Sequence, residues 1–385
     1  MHNVSCPAPL VLSGVEVCSL PFLHLRMIET VLLIWFLCLL VVSIYQLVVF
    51  RSNKPNAIEV LKEYPSVSIV ISVKNGTEQL KKGLTEIIQQ DYPVFEVIIV
   101  DDHSDGGERM SLEKFISSLP QIKLYSSTGL GKKQALTSGI ENARYDYILC
   151  TDADCIPATS FWIKSMIELN AAHGVVIGYS PYLKLPGFLN QLIRFETVMT
   201  GIQYLSWAME GRPYMAVGRN ILYPRALFLS SDPFTNHRDV PYGDDDLGMQ
   251  AISNKTIVAV NLDSRSYMVS APATTWTQWL KQKHRHLSAG HYYRNKVWWQ
   301  PGLYGLALIG HWFLLPFIIS SVLWWIWIPA WITGIFIRWQ NYFQWTKKLG
   351  DKDTAISYPI LEIVYAAYLA FMGAFTVISK KKTWN

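Results

Sequence analysis

Apolar residues fall along this chain in long uncharged blocks at its two ends and in short spaced groups between them. From Thr30 to Phe50, and again from Leu303 to Ile337, leucine, isoleucine, valine, tryptophan and phenylalanine run on without one Asp, Glu, Lys or Arg. A helix crossing a bilayer needs about 20 such residues, so the first block predicts one span and the longer second block two. A further uncharged run, Ile363–Ser379, reaches back to Tyr358 if Glu362 lies near the interface, and predicts a fourth span. The region between, 51–302, is mixed in polarity and large enough for one globular core.

Within that region the pattern alternates. Ser66–Val73 is a β-branched run, followed by a polar turn and a helical pattern through Leu80, Leu84, Ile87 and Ile88. Phe95–Val100 predicts a second strand, Leu112–Leu119 a short helix, Ile122–Tyr125 a third strand, Lys132–Ala143 a helix and Tyr147–Thr151 a fourth strand. Near-continuous apolar strands alternating with helices predict an α/β fold: a mostly parallel, Rossmann-like sheet with helices on both faces. Further on come a strand at Val175–Gly178, an amphipathic stretch at Phe188–Met209, a turn at Gly218–Asn220 and a strand near Thr256–Val260. Thr274–Asn295 follows, with Trp276, Trp279, Leu280, Leu287 and Tyr293 giving it an apolar side suited to a membrane interface.

Composition agrees with a membrane protein: of 385 residues 50% are hydrophobic and 16% charged. The net charge of +5 is spread without a dominant basic block, so no nucleic-acid partner is expected. Arg51, Lys54 and Lys62 follow the first span and place the globular region in the cytoplasm, on a multi-pass protein of the inner (plasma) membrane. The same rule is strained at the other end. Four spans would put Arg338, Lys347 and Lys348 inside but Lys380, Lys381 and Lys382 outside. Five scattered cysteines with no Cys-x-x-Cys spacing fit a reducing compartment and no structural zinc. Residues 1–26 show no apolar period, and Met27, directly before the first span, is the expected start of translation. The expected organisation is thus an extension at 1–26, a span at 27–50, the globular domain at 51–302, two spans within 303–337, an amphipathic connector at 338–357, a span at 358–379 and a basic tail at 380–385.

In open α/β sheets ligands bind beyond the carboxyl ends of the strands. Asp101 and Asp102 follow the second strand and Asp152 and Asp154 the fourth, so the acids interrupt the chain where buried strands end. Paired carboxylates at such a place can hold a divalent metal such as Mg or Mn or take up a proton.

In order, VDDHS (100–104), GKKQALTSG (131–139), TDADC (151–155), VGRN (217–220), YGDDDLG (242–248) and QKHRH (282–286) closely resemble the motifs of the family 2 glycosyltransferases with the GT-A fold. The resemblance covers roughly 65–295, and the flanking spans fit the membrane-bound branch. It implies that Asp102, with Asp101 beside it, binds the nucleotide base, that Asp152 faces the donor and that Asp154, with Asp152, holds the metal. It makes the triplet Asp244, Asp245 and Asp246 the source of the catalytic base. Matching the family's Asp-Leu to Asp246 and Leu247 selects Asp244, with Asp245 as the other candidate. Gln282 and Arg285, three apart on one helical face, would reach the diphosphate. Lys132, at the start of a helix beside the site, would help hold phosphate. The chain departs from the family at His286, where the usual motif ends in Trp. His103 is not expected to be a ligand.

The implied function is an inverting hexosyltransferase that moves a sugar from a nucleotide-diphosphate donor, with a uridine-diphosphate sugar expected, to a lipid or lipid-linked hydroxyl at the cytoplasmic face. The alternative enzyme is a processive polysaccharide synthase of the cellulose, hyaluronan or poly-N-acetylglucosamine type. A membrane scaffold without chemistry is the reading from another class, and the presence of every acidic position weighs against it.

Overall fold

The computed structural model describes residues 20–51, 63–169, 174–240, 242–293, 297, 299–321 and 324–378. Lys54, Lys62, Lys380, Lys381 and Lys382, and most of the expected extension at 1–26, lie outside the described residues.

Helix α1 (Leu20–Ile44) begins before Met27 and ends in a π turn at Tyr45–Val49. The globular region then runs β1 (Val67–Val73), α2 (Thr77–Ile87), β2 (Phe95–Asp101), α3 (Gly106–Ile116), β3 (Ile122–Ser126), α4 (Lys132–Glu141) and β4 (Tyr147–Asp152). It continues through β5 (Cys155–Pro157), α5 (Trp162–Ile167), β6 (Val175–Gly178), α6 (Phe188–Met209), β7 (Ile221–Pro224), α7 (Arg225–Ser231) and α8 (Asp246–Ile252). It closes with β8 (Val258–Asn261), β9 (Met268–Ser270) and α9 (Trp276–Ser288). After it come α10 (Trp299–Phe313), α11 (Leu315–Ile319), α12 (Trp324–Leu349) and α13 (Tyr358–Ile378).

Seven strands form one sheet in the order β3-β2-β1-β4-β7-β6-β8. The first four pair in parallel, and β7 runs antiparallel to both β4 and β6. The sheet is buried on both faces because its strands carry apolar side chains on both. In β1, Val70 enters the core under α4 and α6, while Ile69 and Ile71 enter the opposite core under α2 and α5. Helix α4 lies so close to β1 that a Cβ on Gly139 would sit 2.5 Å from Val70, so only glycine fits there.

Helix α3 starts earlier than expected, at Gly106. Only Leu112 of that helix is fully buried, so its first turn carries no apolar period to read. Strands β5 and β9 pair as a separate two-stranded ribbon and are three residues each, too short for an alternation to register.

The end helices differ from the expected spans. Among the described residues, two helices are long and apolar enough to cross a membrane, Arg26–Val49 and Tyr358–Thr376. The block 303–337 is not two clean spans: α10 has 15 residues, α11 has 5, and α12 runs 26 residues to Leu349, through most of the expected connector. Glu362 does not face an interface; it is fully buried and paired with Arg338 of α12 through contacts of 2.7 and 2.9 Å. Nor are these helices separate from the globular region. Val42, Tyr45, Tyr304, Trp345, Tyr358 and Tyr365 share one core with α6 and the α4 face of the sheet.

Candidate active site

The acids gather at the carboxyl edge of the parallel strands because each follows a strand that stops there. Asp102 leaves β2 with its backbone N–H on Val73 O, and its Oδ1 accepts from Gly131 N at 2.8 Å. Gly131 has φ +94°, a left-handed turn that aims the start of α4 across the edge. Its neighbour Lys132 then places one ammonium between two carboxylates, 2.8 Å from Asp152 and 2.7 Å from Asp244. Burial opposes that charge, but Asp152, Asp244 and Asp245 outweigh it and hold the Lys132 pKa well above the usual lysine value.

Lys133 faces the other way. Its ammonium donates to the carbonyls of His237 and Val240, and burial pushes its pKa down to about 8. Asp101 likewise turns from the cleft, accepting from Arg109 at 3.1 Å and from Ser104 N at 3.2 Å. The expected donor contact at Asp101 is therefore taken up by an internal ion pair, because the last strand residue points to the face opposite Asp102.

The acidic triplet divides by hydrogen bonding. Asp246 accepts from the Tyr293 hydroxyl at 2.6 Å, its other oxygen is buried without a partner among the described residues, and burial and the charge of Asp245 push its carboxyl well up. Asp245 accepts from Gly218 N and Asp246 N, both at 3.1 Å, which caps α8; burial and the charge of Asp244 push it up to about 6. Asp244 is left facing Lys132. Burial alone would raise its carboxyl, but the ammonium outweighs that and holds it below the usual aspartate value.

Asp154 is exposed beyond the end of β4, and partial desolvation and then the charge of Asp152 raise its carboxyl. Asp152, Asp154 and Cys155 offer one ligand atom each within 4.8 Å of one another. Two carboxylates at that spacing suit a hard divalent cation. Cys155 is buried against the Ser270 hydroxyl at 3.2 Å.

The far wall contains residues whose part was not read from the sequence. Arg219 lies 4.7 Å above the Tyr182 ring and donates to Ser270 Oγ at 2.7 Å and to Ser180 O at 3.2 Å. Gln282 donates to the Tyr182 hydroxyl at 3.1 Å, so α9 meets the carboxylate floor through Tyr182 and Arg219. Arg285 stands on the same helix, exposed, as does His286. Asn220 is fully buried, bonded to Trp162, Tyr179 and Ser266, and fixes the loop that carries Arg219. The VGRN string carried a signal for Arg219 and Asn220; Tyr182 and Ser270 carried none, because Ser270 ends the three-residue β9 and Tyr182 meets it by an isolated bridge from the loop after β6.

The cleft thus joins Asp102, Lys132, Asp152, Asp154, Asp244 and Asp245, with Gln282 reaching it indirectly. Residues 68–228 match the family described as Glycosyl transferase family 2. Among curated proteins the chain is similar to poly-beta-1,6-N-acetyl-D-glucosamine synthase of Staphylococcus epidermidis, 25% identical over 119 residues, 30% of this chain and 29% of that protein. It is also similar to the Bacillus subtilis protein named Probable glycosyltransferase YdaM, 24% identical over 261 residues, 63% of this chain and 59% of that protein. The chain therefore spans less than two thirds of the length of either relative. Among solved structures, a mannosyltransferase from Pyrobaculum calidifontis in complex with GDP-Man and Mn2+ matches with a TM-score of 0.58 and 15% identity, over 86% of this chain and 97% of that one. The sheet with its covering helices has the GT-A fold, and residues 68–228, which run from β1 into α7, carry the match to the family 2 glycosyltransferases.

Proposed function

We propose that the protein transfers a sugar, with inversion, from a nucleotide-diphosphate donor to a lipid or lipid-linked hydroxyl at the cytoplasmic face of the membrane. The observation that carries this reading is the meeting of Asp102, Asp152, Asp154 and Asp244 in one cleft around Lys132. A uridine-diphosphate sugar is the preferred donor, its base set against Asp102. Lys132 and, from α9, Arg285 supply positive charge for the diphosphate. Asp152 and Asp154 would hold a Mg or Mn ion, which supplies further neutralisation of the leaving group when bound. Asp244 serves as base. It takes the acceptor proton as the hydroxyl oxygen bonds to the anomeric carbon, and the bond to the diphosphate breaks with its electron pair leaving on the nucleotide. Asp245, whose two oxygens are engaged by backbone N–H groups, holds Gly218 and the start of α8 in place for that step.

Asp244→Asn tests the assignment. Transfer is expected to fall by about a thousandfold or more, while nucleotide binding by calorimetry stays close to wild type. Retained transfer would remove Asp244 from the role and leave Asp245 as the candidate. A processive synthase is the second reading, favoured by the similarity to a poly-β-1,6-N-acetyl-D-glucosamine synthase. Product size from isolated membranes separates the two: a single added sugar supports the first, a long polymer the second.

A further inference from the structure

The loop leaving β6 carries side chains of two kinds. Tyr182 turns in, under Arg219 and onto Gln282, whereas Leu183, Leu185 and Phe188 turn out and are 46%, 41% and 45% exposed. The loop is held in this posture by its backbone. Leu183 N donates to Ser270 O, Ser270 N donates to Pro181 O, and the Asn190 amide bonds both Leu183 O and Leu185 N. An apolar edge fixed outward by main-chain bonds cannot fold in to escape water, so it is built to meet something apolar.

Its neighbours say what. The Phe188 ring lies 6.4 Å from Trp276, Trp276 lies 5.8 Å from Trp279, and Trp279 lies 4.8 Å from Tyr368 of α13. Farther along α9, His284 packs at 5.1 Å on Phe375, which stacks on Phe371; both phenylalanines are exposed. Through the buried Trp279 and Tyr368 the outward edge is tied to α13, one of two helices among the described residues able to cross a bilayer. Lys184 in the loop and Lys281 on α9 stand exposed. Leucine and aromatic rings tied to a span, with cations nearby, match the boundary between headgroups and acyl chains of an anionic bilayer.

We propose that the loop at 182–188, together with Trp276, is a lip that inserts into an anionic bilayer and, through Tyr182, fixes the height of the cleft above it. This rests on the membrane-facing reading given above. Ser270 makes the coupling direct: its backbone anchors Leu183 and its hydroxyl receives Arg219, beside the carboxylate floor. A lip seated in lipid would hold the cleft mouth where a membrane-borne hydroxyl arrives.

The test uses the full chain with Cys6, Cys18 and Cys38 changed to serine, in phosphatidylcholine–phosphatidylglycerol vesicles with brominated acyl chains. A fluorophore is attached at Leu185→Cys or Phe188→Cys, with Leu37→Cys on α1 and Met110→Cys on α3 as references. We expect about twofold quenching at 185 and 188, comparable with 37, and none at 110. Quenching at 37 without 185 and 188 overturns the lip and leaves the membrane anchor standing; no quenching at any position overturns both. For the coupling, Leu185→Glu with Phe188→Glu should lower transfer to a vesicle-borne acceptor about tenfold while acceptor-free donor hydrolysis in detergent stays unchanged. An equal fall in both activities would reduce the loop to a structural part and overturn the coupling.

Discussion

Two adjacent lysines, alike in sequence, have opposite fates. Lys132 lies between Asp152 and Asp244 and stays charged, whereas Lys133 is sunk on two carbonyls with its pKa brought down to about 8. The difference comes from the turn at Gly131, which sets the rotation of α4 and so which lysine meets the edge of the sheet. Lys132→Met removes the charge that holds Asp244 low. The Asp244 carboxyl should then rise, so the acid limb of the kcat/KM profile moves to higher pH, and the donor KM should grow about tenfold from the lost charge-assisted contact. Steady-state kinetics over pH check both; an unmoved acid limb would separate Lys132 from the base. His237 titrates in the opposite sense. Burial and then the Lys133 charge hold its imidazole down at about 4, against an ordinary 6.5. The unfolded chain therefore binds the proton first, and the stability contributed by neutral His237 is present above 6.5 and lost as pH falls toward 4. In His237→Asn, denaturant midpoints should depend less on pH across that window.

At the scale of elements, α6 is the joint of the molecule. Its Arg194, 3% exposed, donates to Asp351 and Asp353 in the turn after α12, and its Phe195 ring meets Tyr342, Tyr358 and Tyr365. Arg194→Met leaves a buried carboxylate at Asp351 and should cost about 3 kcal/mol in detergent denaturation; adding Asp351→Leu should recover part of the loss. That joint was half legible. The amphipathic reading of Phe188–Met209 matched the ends of the helix but not its surroundings, for it is buried on nearly all sides, Arg194 and Glu196 included. Its ion pairs were not legible, since Arg194 and Asp351 are far apart in sequence and nothing local marks them as partners. The same contrast holds across the site. Acids at strand ends were readable from the strand pattern and the Asp-x-Asp spacing. Tyr182 and Ser270 were not, because a loop residue and the end of a three-residue strand leave no period.

For the whole molecule, a shared core means that the end helices are part of the fold and not tethers attached to it. Tyr45 and Phe50 from the first helix and its π turn, Tyr304 from α10, and Trp345 from α12 bury against the same cluster as α6, and the Trp345 indole donates to Phe50 O at 2.9 Å. A chain cut to residues 63–293 should therefore expose that surface and recover poorly as soluble protein, whereas the full chain in detergent should melt in one transition; a stable, monomeric fragment would contradict the shared core. The sheet itself holds a further consequence. Because β7 runs against its neighbours, the chain meets the cleft on its way into that strand, at Val217–Arg219, while the parallel strands meet it on their way out. In a laboratory evolution experiment, the substitutions that retune the far wall while sparing β1, β2 and β4 would thus cluster just ahead of β7. A library built around the acidic motifs alone would never sample them.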